Sequence, residues 1–158
     1  MAGRGVNYGQ DISMVPGTRC LTTTALHLVV CGGSVTTGWT PDIPNTAPAT
    51  QTPIGIIQTP RLSAGSVDMA VRPAGISAAL AAESVDAFHW LGVDAGTLSL
   101  PGYVTDLATQ RSSAATAGAN TLVTGIAVGV IGMSLEAATT LQKFEILVRP
   151  FVTYGTFE

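Results

Sequence analysis

Nucleophilic catalysis needs a Ser, Thr or Cys, a His to take its proton and an acid to orient that His. The chain of 158 residues offers two histidines and two cysteines. His27 lies in the strand-like run LTTTALHLVV and His89 beside Trp90 in AFHWLG, so each reads as a satisfied structural residue of the β-core or an interface. There is no G-x-S-x-G elbow, and the histidines lack the HxH or HxxxH spacing that places two imidazoles on one metal. Cys20 and Cys31 form no CxxC and have no second ligand pair for zinc, which leaves two buried, reduced thiols. Gly125, Gly129 and Gly132 match neither a dinucleotide-binding turn nor a P-loop, and no Lys-Ser/Thr follows. Glycines so placed suit close strand packing or bulges. Asp86 and Asp94 could pair as glycosidase carboxylates, but they flank a predicted strand without an aromatic sugar-binding cluster and read as turn caps. The expectation is a protein with no catalytic residue, no cofactor and no metal, and hence not an enzyme.

Composition narrows the remaining classes. Apolar residues make up 46% of the chain and charged ones only 11%, with a mean hydropathy of +0.41. Ordinary domains carry roughly 25% charged residues, so much of this surface must be Ala, Thr, Ser and Gly. Seven Lys and Arg against ten Asp and Glu give a net charge of −3, and the basic residues are scattered singly. Nothing there neutralises a phosphate backbone, so no nucleic-acid partner is expected. The opening MAGRGVNYGQDISMVPG is Gly-rich and polar, unlike an export signal. The longest apolar stretch, Leu122 to Leu135, falls about six residues short of the roughly 20 that span a bilayer. It reads as buried strand, and no membrane partner is expected.

The elements that must carry any site are mostly strands. Met1 to Gly17 holds four glycines and little periodicity, predicting an extended N-terminal arm that needs a partner to order it. The rest, residues 18–158, reads as one β-rich domain. Thr18 to Val30 is Thr-rich and β-branched, which suits one strand or two short ones, stopped at Cys31-Gly32-Gly33. Residues 39–53, with four prolines, form a long loop. Ile54 to Gln58, Ser66 to Arg72 and Ala87 to Val93 read as strands, the second placing Val67, Met69 and Val71 on one face. Ser77 to Ser84 is Ala-rich and predicts a turn or two of helix, and Ser134 to Gln142 a second short helix. Asp94-Ala95-Gly96 predicts a hairpin from Trp90-Leu91 to Thr97–Leu100, closed at Pro101-Gly102. Arg111 to Asn120 reads as a flexible loop. Thr121 to Gly132 is the most apolar strand, and Phe144 to Val148 alternates with Phe144, Ile146 and Val148 on one face.

A weak repeat runs through this order. Gly55-Ile56-Ile57 precedes Val67-x-Met69-x-Val71-Arg72-Pro73, and Gly129-Val130-Ile131 precedes Phe144-x-Ile146-x-Val148-Arg149-Pro150, the Val-Arg-Pro triplets lying 77 positions apart. Each half reads as an apolar strand, a connection, then an alternating strand stopped by proline. Two such units would close one small barrel or sandwich.

From Pro53 to Pro150 the order of these motifs resembles the capsid decoration (cement) proteins of tailed bacteriophages. The matching positions are Gly55-Ile56-Ile57, Ala64-Gly65-Ser66-Val67, Gly75-Ile76, Val93-Asp94-Ala95-Gly96, Gly129-Val130-Ile131 and Phe144 to Val148. The resemblance implies a mainly β fold, a small β-barrel or β-tulip domain with one or two short helices. It also implies a homotrimer at the quasi-threefold positions of an icosahedral head, clamping neighbouring major capsid subunits on the outer surface of the virion. Synthesis would be in the host cytoplasm. The long N-terminal portion, Met1 to Thr52, departs from the family. On this reading Arg4, Val6 and Tyr8 of the arm contact the capsid, while Trp39, Trp90, Phe151 and Tyr154 form the oligomer interface. Two other readings stay open: a different virion component, such as a head-fibre base or tail tube, and a small-ligand or glycan-binding β-module.

Overall fold

The computed structural model describes residues 10–22, 26–32, 40–44, 52–59, 62–63, 68–93, 100–107 and 127–154. As expected, the chain is mainly β. One antiparallel sheet contains β1 (Ile12–Met14), β2 (Val29–Cys31), β3 (Pro53–Ile57) and β4 (Met69–Arg72) in the order β1-β4-β3-β2. The other contains β5 (Gly75–Leu80), β6 (Trp90–Val93), β7 (Val104–Asp106), β8 (Ala127–Ser134) and β9 (Lys143–Tyr154) in the order β5-β9-β8-β6-β7. One short helix, α1 (Thr18–Thr22), precedes β2.

The Val-Arg-Pro units each supply a central pair, β3 with β4 and β8 with β9, one in each sheet. Among the described residues they do not close a barrel. The edges of the five-stranded sheet meet, among the described residues, at one bridge, Ala81 to Val104, where Ala82 N donates to Val104 O at 2.8 Å. One bridge is not a ladder, so the sheet curls without closing.

Alternation decides which face is inside. Phe144, Ile146 and Val148 of β9 are buried with Leu91, Val104 and Ile131, and against them pack Val29, Cys31 and Ile56 of the other sheet. The opposite face of that sheet carries Val30, Ile57, Met69 and Val71 onto Cys20 of α1 and Ile43. The pair β2–β3 is thus buried on both sides. Each such Val, Ile or Phe contributes about 1.5–3 kcal/mol relative to exposure.

Several elements differ from the sequence-based expectation, each for a local reason. Residues 12–14 of the supposed arm are ordered by their own chain, pairing with β4 as Ile12 to Val71 and Met14 to Met69. Arg72 holds Asp11 through two bonds of 2.8 and 3.1 Å, and Ser13 donates to Asp68 at 2.8 Å. The start of the predicted Thr18–Val30 strand is instead α1, because Asp42 caps it from afar. The Asp42 carboxylate accepts from Arg19 N at 3.2 Å and Cys20 N at 3.0 Å, satisfying donors the first turn leaves open. The Ala-rich helix predicted at Ser77–Ser84 is largely β5, since β9 offers six consecutive partners from Gly75–Val148 to Leu80–Lys143. Small side chains fit either state, and the ladder outweighs their weak helical preference. Ser134–Gln142 is likewise no helix: Val85 and Ala138 exchange both backbone bonds, at 2.8 and 2.9 Å.

Proline does not stop the final strand either. β9 runs through Pro150 because Val130 faces Phe151 while Gly132 faces Val148, leaving Arg149 and Pro150 in a bulge opposite Ile131. A bulge demands no donor there. The hairpin turn at 94–99 and the 111–120 loop lie outside the described residues. The strand that does pair with β6 on that side is β7, which begins after Gly102, a turn glycine at φ 84°.

Candidate functional site

Two features converge on the start of β6. The first is a side-chain cluster at the end of the five-stranded sheet. Asp106, the last residue of β7, is only 2% exposed, and its Oδ2 lies 2.7 Å from His89 Nδ1. A carboxylate can only accept, so the imidazole proton sits on Nδ1. The backbone N of Asp86 points to the same oxygen at 3.4 Å, and Asp106 N donates to Glu83 Oε1 at 3.1 Å. One oxygen each from Asp86 and Asp106 and one ring nitrogen of His89 all fall within 4.8 Å of one another.

Ser134, at the end of β8 and fully buried, fixes the chain that carries this cluster. Its hydroxyl donates to Asp86 O at 2.6 Å and accepts from His89 N at 2.9 Å. Its backbone completes the clasp, with Phe88 N to Ser134 O at 3.0 Å and Ser134 N to His89 O at 2.9 Å. The turn so held forces Phe88 to φ 64°, a region bulky side chains rarely occupy, and leaves the residue 69% exposed. His89 and Asp106 have the relation of a base and its orienting acid. Ser134 is not the matching nucleophile, because both roles of its hydroxyl are taken by backbone groups rather than by the imidazole.

The second feature is an apolar row on the outer face of the same sheet. Since Phe144, Ile146 and Val148 point inward, Glu145, Leu147 and Arg149 point out. Leu147 stands opposite Ile76 on one side and Met133 on the other, and Met133 stands opposite Trp90. Directly paired residues share a face, so Ile76, Leu147, Met133 and Trp90 form one cross-strand ladder. Three inter-strand steps of roughly 4.8 Å make it about 14 Å long. Trp90 is 39% and Leu147 37% exposed, with Ile76 and Met133 half-buried between and beside them. Phe151 extends the row, its ring meeting Trp90 edge-on with centroids 5.5 Å apart and planes at 88°.

Of the expected interface residues, the structure therefore brings Trp90 and Phe151 together. Tyr154 ends β9 opposite Ala127, and Arg4, Val6, Tyr8 and Trp39 lie outside the described residues. The rest of the row, Ile76, Met133 and Leu147, was not singled out in the sequence, although Leu147 sits in the predicted alternation and its outward phase follows from it. Asp106 was missed because nothing in a list of spacings ties it to His89. The other histidine departs from its expected role: His27 Nδ1 is buried without a hydrogen-bond partner. Burial, and then the charge of Lys143, lower its pKa. Both cysteines are buried and free as expected. Burial pushes the Cys31 thiol up to about 12, and burial followed by the Asp42 carboxylate does the same for Cys20. Neither is a thiolate nucleophile near neutral pH.

No family model matches this chain, and no curated protein matches it. Among the described residues no helix is long and apolar enough to cross a membrane.

Proposed function

We propose that the protein is a structural virion component, a capsid decoration protein that binds the exterior of an icosahedral phage head as a homotrimer and clamps neighbouring major capsid subunits. The observation that carries this reading is the ladder Ile76–Leu147–Met133–Trp90, extended by Phe151. A contiguous apolar row on a sheet face is what a protein needs to associate with copies of itself. The ordered motifs between Pro53 and Pro150 add the resemblance to cement proteins, and the shortage of charged residues fits a surface reserved for contacts. Catalysis has no place in this role, nor does a cofactor.

Three weak attachments joined in one trimer bind more tightly than any one alone, by about 10²–10⁴. The contact with the shell is assigned to the N-terminal residues around Arg4, Val6 and Tyr8, adding a strand to an exposed capsid sheet edge through main-chain hydrogen bonds. Because Asp11 and β1 belong to the fold, the informative truncation removes residues 1–9 and leaves Asp11 in place. Mass photometry should find a trimer, and Leu147→Glu with Trp90→Ala should give a folded monomer. The trimer lacking residues 1–9 should fail to co-sediment with expanded, undecorated heads. A wild-type monomer, or full binding by the truncated trimer, would count against the reading.

A further inference from the structure

We propose that Asp86, His89 and Asp106 form a binding site for a divalent transition metal of the zinc class, which pins the 83–89 turn to the end of β7. The inference rests on side-chain geometry alone and stands whether or not the protein decorates a capsid.

The donor set is one imidazole nitrogen and two carboxylate oxygens, all within 4.8 Å of one another. Around a tetrahedral ion with bonds of about 2.1 Å, neighbouring donors stand roughly 3.4 Å apart. His89 Nδ1 and Asp106 Oδ2, 2.7 Å apart, would open by under about 1 Å. Asp86 is exposed and free of core packing, so its side chain supplies most of the remaining adjustment. On binding, the ion takes the place of the Nδ1 proton. The imidazole stays neutral by carrying that proton on Nε2, and both carboxylates remain ionised, so the ion's two charges are balanced.

Two further features fit a metal better than a solvated polar patch. Asp106 is buried, and its Oδ2 is held by His89 Nδ1 and the Asp86 amide, so one ligand oxygen is already fixed beside the imidazole. The backbone on either side of Phe88 is held at four points by Ser134, at the expense of a left-handed φ at an aromatic residue. That clasp fixes where Asp86 and His89 stand before any ion arrives. Glu83, bonded to Asp106 N, acts from one shell further out. A mixed nitrogen and oxygen set without thiolate selects Zn²⁺, or Mn²⁺ with lower affinity, over Cu⁺, and the imidazole disfavours Mg²⁺ and Ca²⁺. With three protein ligands the fourth position belongs to water.

The test is Zn²⁺ titration of the chelator-stripped full-length protein. One ion per chain is expected, and a Zn²⁺ concentration a hundredfold above the dissociation constant should raise the thermal midpoint by about 5–10 °C. Asp86→Asn, which alters only an exposed carboxylate, should weaken binding by more than about tenfold. His89→Gln should abolish the midpoint shift. Should a variant fail to fold, X-ray absorption on the wild-type zinc form still decides, with nitrogen and oxygen neighbours at about 2.0–2.2 Å expected. Absence of stoichiometric Zn²⁺ binding, unchanged affinity in Asp86→Asn, or sulfur neighbours at the ion would each overturn the proposal.

Discussion

Gly132→Ala tests the register on which both surface features depend. Gly132 sits in β8 beside the bulge, opposite Val148 on one side and Leu91 on the other. A Cβ built there falls onto the carbonyl oxygen of Leu147, with the carbonyl carbon at 2.9 Å and Arg149 N at 3.2 Å. These are backbone atoms of a paired strand and cannot swing aside as a side-chain tip would. Restoring ordinary contact requires β8 and β9 to part locally by about 1 Å, which costs overpacking strain of roughly 1–3 kcal/mol. The flanking ladder bonds lose geometry as well, at about 1 kcal/mol each for two of them. The sum, about 3–5 kcal/mol, corresponds to a midpoint lowered by about 6–20 °C for a chain of this size. Thermal unfolding followed by circular dichroism reads it directly. Gly32→Ala is the control, since the nearest atoms to its added Cβ are 3.8 Å away, and it should melt with the wild type. If Gly132→Ala melted within a degree or two of Gly32→Ala, the close approach of β8 and β9 would be wrong, and with it the pairing of Met133 with Leu147.

Asp42→Ala removes the carboxylate that accepts from Arg19 N, Cys20 N and Ile43 N. It should destabilise the fold by about 1–2 kcal/mol in urea unfolding, the scale of a lost helix cap. Asp42→Asn, which keeps an acceptor oxygen, should recover part of the loss. For Cys31 the folded pKa of about 12 lies above the ordinary 9.0, so its contribution is complete below pH 9 and is lost as pH rises from there towards 12. At pH 10 the unfolded thiol is mostly ionised, which costs the native state on the order of 1 kcal/mol. Cys31→Ala should show a correspondingly smaller drop in stability between pH 8 and pH 10, and equal drops would contradict the burial of this thiol.

Local pattern carried far where the signal was local. The alternation of Phe144, Ile146 and Val148 is visible in the sequence and is realised in β9, as is the inward face of Met69 and Val71 in β4. The glycine-apolar steps at Gly55 and Gly129 mark β3 and β8, and the repeat picked out the two units to which they belong, though not the direct pairing of β3 with β4 and of β8 with β9. What failed was set by partners distant in the chain. The cap on α1 comes from Asp42, 22 and 23 residues beyond the amides it satisfies. The strand state of the alanines in β5 depends on β9, and the tolerance of Pro150 on a bulge counted against β8. The Asp106–His89 contact belongs to the same class, joining residues 17 apart through the pairing of β6 with β7. A search by spacing along one element cannot find such a pair.

The scarcity of charge becomes sharper when the charged groups are followed to their partners. Of seven basic and ten acidic residues, Asp11 and Arg72 hold β1 beside β4, and Arg19 donates to Ile43 O. Asp42 caps α1, Asp68 accepts from Ser13, Glu83 from Asp106 N and Glu136 from Glu145 N. Asp106 is buried against His89. Much of an already small supply therefore fastens loops and edges to the fold instead of solvating the surface. On the outer face of the five-stranded sheet, β9 presents Glu145 and Arg149 on either side of Leu147. Scattered single apolar residues would be ordinary on any protein surface. Four in register across four strands, with an aromatic pair at one end, form one continuous apolar strip bordered on β9 by one acidic and one basic residue. The same internal use of charge that stabilises the monomer thus leaves this sheet face with an apolar strip, the surface that the proposed trimer would cover.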